Sequence, residues 1–277
     1  LYQMPGLEDV DRVELSTPFG DPSDAYFVGR IGDQAVAFLP RHGVGHPISP
    51  SEINFRANIH GFKQLGADAV LAISAVGSLR EEIVPGHVVV PDQFIDRTRG
   101  RISTFFTGGV VAHVGFADPF CFPMSRLLVE CAQTAGATVH ERGTYVCMEG
   151  PQFSTRAESH LYRSWGADII GMTNLQEAKL AREAELCFTT LALATDYDCW
   201  RQDGDSVEIT DVLAVLAANA GLAQKVVQLL AVRMDAARVC PCRTALENAV
   251  VTSPSVISEQ ANDRLALLLA RVSNQGE

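Results

Sequence analysis

Long apolar runs are missing from this 277-residue sequence: no uninterrupted stretch reaches the ~20 residues a membrane-spanning helix needs. Positive charge is scarce as well. Twenty-two Lys and Arg stand against 33 Asp and Glu, a formal net charge of -11. That balance argues against nucleic acid or an anionic membrane as the main partner. Any phosphate site must therefore be local, built from a few aimed donors. A disulfide framework is also lacking, because the seven Cys (121, 131, 147, 187, 199, 240 and 242) are odd in number and follow no framework spacing. Such usage suits a reducing cytoplasm. The opening Leu-Tyr-Gln-Met-Pro-Gly has neither a basic flank nor an apolar stretch, so it does not read as a secretory signal. Internal repeats and low-complexity linkers are absent too.

What remains is a chain with 47% apolar and 20% charged residues, enough to build a large core in one α/β domain over residues 1–277. Short apolar or β-branched runs alternate with helical patterns. Strands are expected at 35–39, 69–74, 87–90, 144–148, 168–172 and 187–195. Helices are expected at 51–65, 124–135, 156–165, 174–184 and about 210–234, several ending at a glycine. The alternation predicts a twisted, mostly parallel central sheet with helices on both faces. Ligands of such sheets collect beyond the carboxyl ends of the strands, and four polar clusters fall there.

Arg41-His42-Gly43-Val44-Gly45-His46 puts a planar cationic fork, imidazoles and two glycines in one turn. It reads either as an anion site or as a surface turn. Ser74-Ala75, ahead of Gly77, offers a hydroxyl and backbone amides, or is a routine glycine turn. Thr173-Asn174 opens a helix, where a hydroxyl can serve a phosphate or cap the helix. Asp196-Tyr197-Asp198 is the sharpest feature: two carboxylates just past an apolar strand are costly unless exposed or partnered. A protonated carboxyl can donate to purine N7 while an ionised one accepts from N6–H₂. Like-charge repulsion favours that split, and a solvated acidic loop is the other reading. Phe153, after Gly150-Pro151, is either presented to a flat ligand or is core. Cys240-Pro241-Cys242 reads as two ordinary thiols or as a short-range disulfide.

The segments RHGVGHPISPSEINFRANI, ISAVGSLREEIVPG, VVPDQFIDRT, EGPQFSTRAES, SWGADIIGMTN and ALATDYDCW, in this order over most of residues 18–213, resemble the trimeric purine nucleoside phosphorylases, in their methylthioadenosine phosphorylase branch. Residues from about 236 to 277 match more weakly. The resemblance implies phosphorolysis of 5′-methylthioadenosine to adenine and 5-methylthioribose 1-phosphate. Inorganic phosphate would be co-substrate, with no metal or organic cofactor, in a cytoplasmic homotrimer. It assigns phosphate to Arg41, His42, Ser74, Thr173 and the backbone of Ala75. Ribose falls to Met172, and the purine to Phe153, Ser154, Asp196 and Asp198, with Asp196 as the acid at N7. The 5′-methylthio pocket would use Ile209, Val212 and Leu213, with His46 and a neighbouring subunit's His113.

Two positions bear on the base. The 6-oxopurine branch, whose substrates include inosine, guanosine and methylthioinosine, has Glu in place of Ser154 and Asn in place of Asp196. A carboxylate facing O6 is repelled, so Ser154 with Asp196 favours adenine. Ile209, Val212 and Leu213 recur at i, i+3 and i+4, which is also what ordinary core packing produces. Gln152 and Gly45 replace the branch's usual Arg and Gln. The family's opening strand, with a Gly-Gly-Ser/Thr-Gly turn whose hydroxyl grips phosphate, is expected to precede Leu1.

Overall fold

The computed structural model describes residues 4–201, 209–234 and 239–273. The first strands, β1 (Glu8–Val13), β2 (Tyr26–Ile31) and β3 (Gln34–Phe38), form a separate three-stranded antiparallel sheet. The strand expected at 35–39 is therefore present, but outside the central sheet. Its short connection to β2 makes a hairpin, closed by the Ile31–Gln34 pair around Gly32.

The chain continues through α1 (Phe55–Gln64), β4 (Ala69–Ser78), β5 (Val88–Val89), β6 (Gln93–Arg97), α2 (Phe122–Thr134), β7 (Val139–His140) and β8 (Thr144–Met148). It then forms α3 (Arg156–Ser164), β9 (Ile169–Gly171), α4 (Asn174–Glu183), β10 (Cys187–Asp196), α5 (Ile209–Arg233) and α6 (Glu259–Ser273). The larger sheet has seven strands in the order β6-β8-β9-β4-β10-β5-β7. Parallel pairs join β6 to β8, β8 to β9, β4 to β10 and β5 to β7. The β4–β9 and β10–β5 pairs are antiparallel. The sheet is thus mixed and mostly parallel, as the alternation of elements predicts. No described helix is long and apolar enough to cross a membrane.

β10 sits inside this sheet, and every one of its residues except Asp196 is buried, the burial expected of a strand covered on both faces. Leu128 of α2 and Val226 and Leu230 of α5 join Leu191 in one core. On the other side Ile59 of α1, Ala181 of α4 and Leu265 of α6 cluster with Phe188. Burying each such large side chain stabilises the fold by about 1.5–3 kcal/mol.

Helix starts differ from expectation for local reasons. α1 begins at Phe55 rather than Ser51, because the Asn54 side chain accepts from Ala57 N and caps it. In α4 the cap position belongs to Thr173. Asn174 lies one residue inside and turns inward, where its Oδ1 accepts from the Thr190 hydroxyl at 2.8 Å.

Candidate active site

The acidic turn is set by an irregularity in β10. In the ladder with β4, Ala194 pairs with Val76 and Asp196 with Gly77, so Thr195 is an extra residue, a β-bulge. A bulge re-aims the side chain that follows it. Thr195 is buried, and its hydroxyl lies 3.2 Å from Val76 O and 2.8 Å from Asp196 Oδ2. Asp196 Oδ1 accepts from the Asp198 amide at 2.7 Å. Asp198 itself has φ 51°, a left-handed conformation Asp tolerates better than most residues. Gly77 makes room for the turn: a Cβ there would stand 3.0 Å from Asp196 Oδ1.

Burial pushes the Asp196 carboxyl above its ordinary pKa, against the pull of Thr195 and the Asp198 amide. Burial raises Asp198 too, opposed first by Ser159; the charge of Asp196 adds only a lesser push. Desolvation therefore does most of what the sequence reading gave to like-charge repulsion. The solvated-loop reading fails, because Asp198 is buried. Ser154 belongs to the same neighbourhood: Cys199 Sγ donates to its carbonyl at 3.2 Å, and its hydroxyl lies 3.5 Å from Met148 Sδ. Phe153 is 45% exposed, so it is not a core residue.

The cationic turn follows β3. Arg41 Nε donates to Glu177 Oε1 at 2.7 Å, and one terminal nitrogen donates to Ile73 O at 3.0 Å. Through these bonds Arg41 meets both the strand carrying Ser74 and the helix that opens at Thr173. Glu177 is buried; burial raises its pKa while Arg41 opposes the rise. Its Oε2 has no hydrogen-bond partner among the described residues. His42 Nδ1 stands 2.8 Å from Ile48 O, which can only accept, so this nitrogen carries the proton. Burial lowers the His42 pKa to about 4, leaving a neutral ring with Nε2 as an acceptor. His46, with φ 60°, stacks its ring on His42 at 4.0 Å.

Ser74 and Ala75 lie within β4, not in a turn beyond it, because the strand runs on to Ser78. The glycine-turn reading is corrected accordingly. Ser74 is buried, with its hydroxyl 3.5 Å from Tyr145 OH. Thr173 is buried and its hydroxyl makes no capping hydrogen bond, so the capping role proposed for it is also corrected.

The two ends are joined through Met172. A Cβ on Gly150 would lie 2.5 Å from Met172 Sδ, so the loop at 150 and the Met172 side chain are in close contact. Beneath them runs Arg101, whose side chain is 2% exposed. It donates to Met172 O, to the carbonyl and carboxylate of Glu149, and to Gln176 Oε1. Ser51 also donates to Glu149. Burial tends to raise Glu149, but Ser51, the Arg99 amide and Arg101 outweigh it and hold its pKa low. Neither Arg101 nor Glu177 was visible as a site residue in the sequence. Each is a lone charge in an otherwise unremarked segment, and only the fold supplies its partners.

His113 is exposed, and its amide donates to Ala249 O at 2.8 Å; none of the hydrogen bonds of the described residues ties its side chain to the others. Ile209, Val212 and Leu213 fall in the first turns of α5, and their side chains lie outside the described residues. A cavity of about 620 Å³ lies between β3 and β4, walled by apolar residues including Val36, Ile73 and Leu230, and reaches Arg41 and Glu177.

The chain matches the phosphorylase superfamily over residues 3–231. It is 54% identical to an S-methyl-5'-thioadenosine phosphorylase of Koribacter versatilis over 271 residues, 98% of this chain and 93% of that one. This chain belongs to the phosphorylase superfamily. Its fold agrees with a methylthioadenosine phosphorylase from an antarctic soil metagenomic library at a TM-score of 0.92, with 46% identity over 97% of this chain and 95% of that one. The methylthioadenosine phosphorylase of Schistosoma mansoni in complex with adenine gives a TM-score of 0.83, with 32% identity over 98% and 96% of the two chains.

Proposed function

We propose that this protein cleaves 5′-methylthioadenosine with inorganic phosphate, releasing adenine and 5-methylthioribose 1-phosphate. One observation carries the choice of base: a part-buried and a buried carboxyl, Asp196 and Asp198, both with raised pKa, share their neighbourhood with a serine at 154 rather than a third acidic group. A phosphate oxygen attacks C1′ as the C1′–N9 bond breaks, and the bonding pair leaves with the purine. Protonated Asp196 gives its proton to N7, so the base departs neutral. In the free protein the protonated Asp196 Oδ2 donates to Thr195 Oγ1, whose own hydroxyl then donates to Val76 O. Asp198 faces the exocyclic amine, and Phe153 covers the ring.

Arg41 supplies the fixed charge for phosphate, with Ser74, Thr173 and the Ala75 backbone. Neutral His42 accepts from the P–OH of the monohydrogen dianion through Nε2. This chemistry calls for positioning and proton transfer, not for a metal or organic cofactor at the reacting atoms. Met172 takes the ribose. Ile209, Val212, Leu213 and His46 take the methylthio group, with His113 arriving from a neighbouring subunit of a cytoplasmic homotrimer.

Initial rates with methylthioadenosine and inosine, with and without phosphate, test the proposal. Faster cleavage of methylthioadenosine, strictly dependent on phosphate, is expected. Faster inosine cleavage or turnover with water alone overturns it. Asp196→Asn should lower kcat/KM for methylthioadenosine by about 10²–10⁴-fold and raise the inosine-to-methylthioadenosine ratio.

A further inference from the structure

Four cysteines from three distant parts of the chain meet in the core. Cys121 stands at the N-terminus of α2, Cys187 begins β10, and Cys240 and Cys242 flank Pro241 at a short 3-10 turn, Pro241–Thr244. All four are buried, and their Sγ atoms lie within 4.8 Å of one another. The Cys187 and Cys240 sulfurs are 3.2 Å apart, well beyond the ~2.05 Å of a disulfide.

We propose that these four thiols form a tetrathiolate zinc site that fastens the segment after α5 to the base of β10. In a tetrahedral ZnS₄ unit with Zn–S of ~2.3 Å, neighbouring sulfurs are separated by ~3.8 Å, which falls between the two distances found here. One disulfide would use two of the thiols and leave two behind, whereas a tetrahedral ion uses all four alike. Cys121 stands at the N-terminal, positive end of α2, a position that favours a thiolate. Binding exchanges four thiol protons for one Zn²⁺, with no change of oxidation state. The turn is already positioned by Arg243, which pairs with Asp68, while the Cys187 amide donates to Asp68 O. The spacing Cys-x-Cys is one residue shorter than the usual zinc knuckle, which is why the sequence shows only a pair of thiols.

The test is the metal content of the full-length protein, purified after growth with added zinc and dialysed against metal-free buffer. One zinc per chain is expected, falling well below one in Cys121→Ser and Cys242→Ser. Cys131→Ser, a buried thiol of the same apolar cluster but outside the four, should keep it. Cobalt substituted into the wild-type protein should show the visible bands of tetrahedral sulfur ligation, a readout that needs no variant to fold. Metal-free protein with all seven thiols titratable on unfolding, iron in place of zinc, or a Cys187–Cys240 disulfide found by peptide mass would each overturn the proposal.

Discussion

Arg41 and Glu177 form a buried ion pair, with Nε 2.7 Å from Oε1, that joins the turn after β3 to the first turn of α4. The carboxylate orients the guanidinium, whose remaining N–H groups stay available to an anion. Removing Glu177 would leave the arginine charge half-buried and unaimed. Glu177→Ala is expected to destabilise the protein by about 3 kcal/mol and to raise KM for phosphate more than KM for nucleoside. Glu177→Gln keeps an acceptor for Nε and should do less of both. Denaturant unfolding with separate KM measurements checks this; equal changes in the two KM values would count against it.

The raised carboxyls make stability depend on pH in a defined direction. The folded protein holds protons on Asp196 and Asp198 more tightly than the unfolded chain, where Asp titrates near pH ~4. The stability they contribute is complete below that pH and is lost as pH rises through the folded pKa. Asp196→Asn, which imitates the protonated carboxyl, should therefore melt above the parent at neutral pH. The advantage should vanish near pH ~4. A melting difference that is the same at both pH values would refute the assignment.

Arg101 reaches acceptors on Ser51, Glu149, Met172 and Gln176 from an almost fully buried position. A lysine ammonium cannot span that set. Arg101→Lys should cost about 3 kcal/mol of stability and raise KM for nucleoside while leaving KM for phosphate nearly unchanged. Kinetics at saturating phosphate, with thermal melts, supply the measurement. A selective change in KM for phosphate would show that Arg101 acts on the other end of the site.

Gly77→Ala would place a methyl group 3.0 Å from Asp196 Oδ1 and Ile170 Cγ2. Overpacking of this kind typically costs about 1–3 kcal/mol, and a displaced acid costs far more in rate. We expect kcat to fall by roughly 100-fold in protein that remains folded by circular dichroism. Retention of full kcat would mean that the Asp196 position is not critical.

Much of the fold was legible because period and punctuation are local properties. Apolar runs such as 187–195 and glycines such as Gly136 and Gly166 mark element limits directly. The placement of β3 was not legible, since a strand carries no mark of the sheet it will join. Ser74 was read as the edge of a turn because Gly77 suggested a stop; pairing with β10 carries the strand through it. The acidic pair stood out by being apolar-flanked, yet the cause of its raised pKa is burial, which only packing reveals. Four thiols spread over 122 positions look unrelated until α2, β10 and the 3-10 turn bring them together.

The bulge at Thr195 has a consequence for the lengths this strand can take. Deleting one residue between Ala192 and Asp196 would restore a regular ladder and turn the acidic side chain to the opposite face of the sheet. Inserting one would enlarge the bulge and also redirect that side chain. In β10, therefore, the count of residues is itself part of the chemistry.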